Sequence, residues 1–272
     1  MSEYELLHGG DGPPLLLLHS GTLTFREWRA PFKRLSQSFE VLAPTLPGSL
    51  GGPPLDCRDR SVVPAMADYV EQLLDEYGFT EPLPIAGSSL GGVLSLELAV
   101  RGRASQVIAF APPWAGVKSA AAYVPLFAGG GALLRVIDPL IPALVRSPRA
   151  AASVLVGSPA PTVLDAADTE ATLRSFASFP WWQLTVQRRG SLAGLLPALD
   201  QVDVPVTLVW GTADRLVPFA VSKMWQSRLP QSELIVLPGL PHVPHLRDPD
   251  GVAELIEQAI ASSLPTTEGA VA

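Results

Sequence analysis

The chain has 272 residues, enough for one large domain with an insertion or for two small domains. A composition of 47% hydrophobic and 17% charged residues sets aside the disordered class, and a domain of this length buries enough surface to dispense with disulfides or structural metals. The net charge of −7, with 19 Lys and Arg forming only local pairs such as Arg101/Arg103 and Arg188/Arg189, argues against a nucleic-acid binder. The single cysteine, Cys57, excludes an internal disulfide and a cysteine-cluster metal site, and its polar neighbours Arg58 and Asp59 mark it as an inert thiol. Residues Met1 to Gly12 carry Glu3, Glu5 and Asp11 without an apolar run behind basic residues, so no signal peptide is expected there. The apolar stretches Ala120–Ala128 and Leu133–Val145 are broken by glycines, prolines and charges, and neither is expected to span a bilayer. The expectation is a cytoplasmic protein with no membrane attachment.

In chain order, short apolar runs end repeatedly at turn residues. They are Leu15–Leu18 before His19-Ser20-Gly21, Val41–Ala43 before Pro44, and Pro84–Ala86 before Gly87. Gln106–Ala111 before Pro112, Val206–Trp210 before Gly211 and Glu233–Leu237 before Pro238 complete the series. Runs of this kind are strands buried on both faces, as in a parallel sheet. Helical spacing of apolar residues appears between them, over Glu27–Ser38, Ala65–Tyr77 (with Gly78 as its stop), Leu90–Arg101 and Val252–Leu264. Strand and helix alternate, which predicts an α/β fold with a mostly parallel sheet and helices on both faces. From about Trp114 to Asp200 no buried strand is evident. Helical patches and many prolines there predict a helical insertion over the carboxyl edge of the sheet. The small, polar tail 265–272 is expected to be disordered.

Gly87-Ser88-Ser89-Leu90-Gly91 matches G-x-S-x-G between a predicted strand and a predicted helix. The bare pattern is weak, but its placement is that of a nucleophile elbow, where a tight turn lifts a serine hydroxyl over the sheet edge. Register selects Ser89 and leaves Ser88 as the variable position. A serine used only as a helix cap is the competing reading. Serine is a poor nucleophile unless a base lies within hydrogen-bond reach. The chain has four histidines. His242 lies in the loop leaving the last strand, at the same sheet edge as Ser89. His245 is the rival base. His8 precedes the predicted strands and is expected to be exposed, and His19 to shape its loop. The base needs a carboxylate to fix its tautomer. Asp214 follows the Val206–Trp210 strand at the right edge, with a turn Asp paired to Arg215 as the alternative. Asp248 reads as the cap of the last helix. Nucleophile, acid and base thus run Ser89, Asp214, His242 along the chain.

The blocks Leu15–Gly21, Pro47-Gly48, Gly87–Gly92, Trp210–Asp214 and Gly239–Pro249 resemble the signature segments of the α/β-hydrolase superfamily, over residues 13 to 262 with the insertion excepted. The resemblance implies an α/β-hydrolase core over 1–112 and 200–264 and a helical cap over 113–199. It also implies an oxyanion hole made by the backbone N–H groups of Leu90 and of Gly21 or Thr22, each worth roughly 3 kcal/mol. This chain departs from the family pattern in carrying Ser20 after His19, where glycine is usual, and Pro241 before His242, where glycine is usual. Serine rather than aspartate at position 89 argues against dehalogenase or epoxide-hydrolase chemistry. It fits acyl transfer on an ester or related carbonyl compound without metal or organic cofactor. Trp114, Phe127, Phe176, Phe179, Trp181 and Trp182 of the insertion are candidate pocket walls for a small apolar substrate, with Trp114, Phe179, Trp181 and Trp182 foremost. Taken singly, most are expected to be cap core, and they could also form a homodimer surface. C–C bond hydrolysis, perhydrolysis, a lyase reaction, or a slow-turnover receptor would use the same triad.

Overall fold

The computed structural model describes residues 3–21, 23–56, 61–113, 128–145, 163–179 and 198–263. Seven strands form one sheet: β1 (Leu6–Gly9), β2 (Pro14–Leu18), β3 (Glu40–Pro44), β4 (Leu83–Ser88), β5 (Ala104–Phe110), β6 (Val206–Gly211) and β7 (Glu233–Leu237), in the order β1-β3-β2-β4-β5-β6-β7. All six strands expected from the apolar runs are present. The seventh, β1, pairs antiparallel with β3 at the sheet edge, while every other pairing is parallel. His8 is therefore part of a strand rather than ahead of the first one. It is exposed, as expected, and its Nε2 lies 2.9 Å from Glu40 Oε1.

Period-two alternation sends the side chains of β2 to opposite faces. Leu16 and Leu18 enter the cluster covered by α2 (Val62–Glu76) and α3 (Leu90–Val100), whereas Leu15 and Leu17 enter the cluster covered by α1 (Arg29–Leu35) on the other face. All four leucines are fully buried, and each such side chain contributes about 1.5–3 kcal/mol. This is why the run reads as continuously apolar rather than alternating. Helix α2 ends as its sequence suggests: Gly78 takes φ 79°, and Phe79 N–H donates to Leu74 O at 2.8 Å, the longer bond of a Schellman cap.

In the 113–199 segment, helices occupy 128–136 (α4), Ile141–Leu144 (α5) and Ala166–Ser178 (α6), and no strand occurs among the described residues. Leu134, Ile141, Val145, Leu173, Phe176 and Phe179 continue the α2/α3-side core into this segment. Polar contacts also fasten α6. Arg26 and Arg29 donate to Asp168 Oδ1 at 3.1 and 2.7 Å, Ser175 Oγ donates to Leu23 O, and Leu50 N–H donates to Ser175 Oγ. The chain then adds α7 (Ala220–Arg228), which buries Val221 and Trp225, and α8 (Pro249–Ser263), which is capped by Asp248 Oδ1 accepting from Gly251 N–H at 3.0 Å. Among the described residues no helix is long and apolar enough to cross a membrane. Cys57 and the tail 265–272 lie outside the described residues.

Candidate active site

Because β4, β5, β6 and β7 are parallel and adjacent, their carboxyl ends share one edge, and β4 and β6 are two strand spacings apart, about 10 Å. Ser89 stands at the end of β4 with φ 53° and ψ −114°, in the positive-φ half of the map that non-glycine residues avoid. Such a conformation costs on the order of 1–3 kcal/mol and persists only where its surroundings enforce it. Here Ser89 N–H is tied to Phe110 O of β5 at 2.8 Å, and α3 begins at the next residue. The flanking glycines leave no room for substitution. A Cβ on Gly91 would lie 2.3 Å from Leu18 O, and one on Gly87 would lie 2.2 Å from Gly91 O.

Asp214 and His242 come together. His242 Nδ1 donates to Asp214 Oδ2 at 2.7 Å, and both side chains are buried. The other oxygen, Oδ1, accepts from the N–H groups of Leu216 and Val217, both at 2.8 Å, so the acid is held at both ends. Trp210 Nε1 closes this turn by donating to Val217 O. With the Nδ1 hydrogen committed to Asp214, the tautomer places a lone pair on Nε2, which is buried and has no hydrogen-bond partner among the described residues. No hydrogen bond joins it to Ser89 Oγ in this structure.

The loop carrying His242 folds back across the end of β6. A Cβ on Gly211 would lie 2.2 Å from Leu240 O and 2.6 Å from Pro241 O, and Ala213 N–H donates to Leu240 O at 3.0 Å. His242 follows β7 but its loop crosses the end of β6, in the direction of β4. The turn is made with Pro241 directly ahead of His242.

The remaining histidines are engaged elsewhere. His19 is buried and holds its loop as expected: Nδ1 donates to Ser20 O at 2.7 Å and Nε2 accepts from Leu46 N–H at 2.8 Å. Burial pushes its pKa below the ordinary 6.5, against the raising influence of Glu27 and of the Ser20 carbonyl. His245, the rival base, has its own carboxylate. Its Nε2 donates to Glu27 Oε1 at 2.6 Å, and its ring stacks on Trp28 with centroids 4.1 Å apart and planes 9° from parallel. Glu27 is completely buried. Burial alone would raise its pKa, but His245, His19 and the Ser20 N–H outweigh it and hold the carboxyl below its ordinary value.

Of the two oxyanion candidates, Leu90 is the first residue of α3 and Gly21 lies directly against it, a Cβ on Gly21 falling 2.9 Å from Leu90 Cδ2. Neither N–H donates to a described residue, whereas Ser20 N–H is spent on Glu27 Oε2 at 2.9 Å. Thr22 lies outside the described residues, as do Trp114, Phe127, Trp181 and Trp182. Phe179 is buried in the apolar cluster with Phe176 and Leu173.

Sequence reading assigned no functional role to Glu27 and Trp28, which contact His245, or to Ser20 and Ser88, which are joined to it through Glu27. Ser88 Oγ lies 3.0 Å from Ser20 Oγ, so the position taken as variable in the elbow ties it to the neighbouring loop. The one local signal was Ser20 in a glycine position, a hydroxyl that would need partners once buried.

Comparison with known proteins identifies the family. A family model described as alpha/beta hydrolase family matches residues 15–255. The epoxide hydrolase EphH of Mycobacterium tuberculosis is 33% identical over 213 residues, covering 74% of this chain and 95% of that protein. The pimeloyl-[acyl-carrier protein] methyl ester esterase of Aromatoleum aromaticum is 28% identical, covering 91% and 98% of the two chains. A thermophilic esterase from Thermogutta terrifontis superposes with a TM-score of 0.66 at 20% identity, covering 95% and 93%. This chain belongs to the α/β-hydrolase family and is an enzyme of the hydrolase type.

Proposed function

We propose that the enzyme is a serine hydrolase that cleaves an ester or related carbonyl compound with a small apolar acyl group. Ser89 Oγ attacks the carbonyl carbon while His242 Nε2 takes its proton. The N–H groups of Leu90 and Gly21 hold the oxyanion, and Asp214 stabilises the imidazolium. His242 then protonates the leaving group, and water, activated by the same imidazole, releases the acid from the acyl-enzyme. The observation that carries this reading is the buried His242–Asp214 pair, whose tautomer leaves Nε2 as an acceptor, together with the strained Ser89 at the same carboxyl edge of the sheet. The esterase among the relatives supports ester cleavage. The relative named an epoxide hydrolase does not displace it, because residue 89 of this chain is a serine and has no carboxylate with which to form an alkyl-enzyme ester. Residues 113–199 act in this scheme as the cap that selects the acyl group, and their aromatic content favours apolar ones.

Turnover of p-nitrophenyl esters of increasing acyl length tests the proposal. Short or medium chains should be hydrolysed, and Ser89→Ala should lower kcat by at least about a thousandfold. Undiminished hydrolysis by Ser89→Ala, or turnover of an epoxide but of no ester, would overturn it.

A further inference from the structure

A second buried histidine–carboxylate pair lies beside the first and is not needed to activate Ser89. Glu27 and His245 both have fully buried side chains, and they come from segments 218 residues apart. Burying such a pair is costly unless its polar atoms are engaged; His245 Nδ1 has no partner among the described residues, whereas both Glu27 oxygens have further ones. The remaining bonds of Glu27 all go to one residue: Oε2 accepts from Ser20 N–H at 2.9 Å, and Oε1 accepts from Ser20 Oγ at 3.1 Å. Since the Ser20 hydroxyl hydrogen points at Glu27, the 3.0 Å contact between the two hydroxyls is a bond donated by Ser88 Oγ. The Ser20 carbonyl is also engaged, accepting from His19 Nδ1 at 2.7 Å and from Leu23 N–H at 3.1 Å. Every polar group of Ser20 is therefore committed.

A planar trans peptide makes that commitment consequential. The Ser20 carbonyl and the Gly21 N–H belong to one rigid unit and point in opposite directions, so whatever fixes the first aims the second. We infer that Glu27, clamped by His245, is a positioning residue: it holds the N–H and hydroxyl of Ser20 while His19 Nδ1 and Leu23 N–H hold the carbonyl of the Ser20–Gly21 peptide, and this joint anchoring turns Gly21 N–H toward the developing oxyanion. Ser88 ties the Ser20 hydroxyl to the turn bearing Ser89. The inference rests on the serine-hydrolase reading. In this chain a buried acid shares in the aiming, and Ser20 is the handle by which it acts.

The experiment compares Glu27→Gln and Ser20→Ala with the wild-type enzyme, using p-nitrophenyl ester kinetics and the affinity of an alkylboronic acid, which forms a tetrahedral adduct on the serine. Outright loss of an oxyanion donor costs about a hundred- to a thousandfold in kcat, so a mis-aimed one should cost about ten- to a hundredfold in Glu27→Gln. Ser20→Ala, which keeps the N–H bond to Glu27, should lose about three- to tenfold. KM should stay within about twofold in both, and boronate affinity should weaken in step with kcat/KM. Combining Glu27→Gln with His245→Gln should cost little beyond the worse single change, because the two residues act as a unit. The positioning role is overturned if kcat of both single variants stays within about twofold of wild type, or if KM rises while boronate affinity holds. Should Glu27→Gln fail to fold, Ser20→Ala alone decides by the same criteria. A wild-type enzyme that neither turns over esters nor binds the boronate would instead remove the serine-hydrolase reading beneath it.

Discussion

Two residues at the sheet edge are held in states that isolated chemistry would not choose. Ser89 occupies a strained backbone conformation, and Asp214 is buried with all its acceptor capacity directed at His242 and two backbone amides. Asp214→Asn tests what the acid does. The amide oxygen can still accept from Leu216 and Val217, but its NH2 group faces His242 Nδ1 and selects the wrong imidazole tautomer. Turnover should fall by roughly 10⁴-fold, measured as kcat, with little change in Tm. His19 supports a different expectation. Its pKa is lowered by burial, so below pH 6.5 the unfolded chain takes up a proton that the folded chain refuses. Stability is therefore full above that pH and declines as the pH falls toward the lower folded-state value. Glu27, also held below its usual value, adds a loss of the same sign at more acidic pH. Urea midpoints between pH 7.5 and 5 should fall for the wild-type enzyme and stay flatter for His19→Gln. Register alone separated Ser89 from Ser88 in the sequence. The partner of His245 was not legible, because Glu27 lies in another segment and no local pattern encodes a contact over that distance.

The elements that carry these side chains were read well where burial on both faces makes a run of apolar residues. Strands β2 to β7 were found to within two residues of their ends, and their order along the chain already placed Ser89, Asp214 and His242 on one edge. The misses were a half-exposed edge strand of four residues and a short helix. β1 has no apolar run to announce it and exists because β3 offers an open edge. Helix α7 buries only Val221, Ser222 and Trp225, too narrow a stripe to stand out. The helix expected over Glu27–Ser38 is divided into a 3-10 turn at Phe25–Trp28 and α1, which places Glu27 and Trp28 in the turn that faces His245. At this scale Gly211 is the sensitive point, since the His242 loop rests on it. Gly211→Ala forces a methyl group against the Leu240 and Pro241 carbonyls. It should cost about 1–3 kcal/mol in denaturant unfolding, and it should depress kcat beyond any effect on KM as His242 is moved from its place.

Across the whole molecule the sheet acts as a rigid platform whose two apolar faces are covered independently, leaving the carboxyl edge free for loops. Segments distant in sequence lie there: residues 19–27 supply the loop and Glu27, residues 87–91 the turn bearing Ser89, and residues 211–217 and 239–245 the Asp214–His242 pair. The polar ties from Arg26, Arg29, Leu23 and Leu50 to α6 dock the 113–199 segment beside the same loop. The alternation of apolar runs with helical spacing pointed to an α/β platform, whereas no periodicity resolves the side chains of the insertion. The proposal that most depends on all these segments together is that Ser89 is the nucleophile and His242 its base. Peptide-level mass spectrometry of the enzyme treated with a fluorophosphonate tests it most directly. Serine catalysis predicts a covalent adduct on Ser89, absent in Ser89→Ala and strongly slowed in His242→Ala. An adduct confined to another serine, or one abolished by His245→Ala and indifferent to His242→Ala, would contradict it.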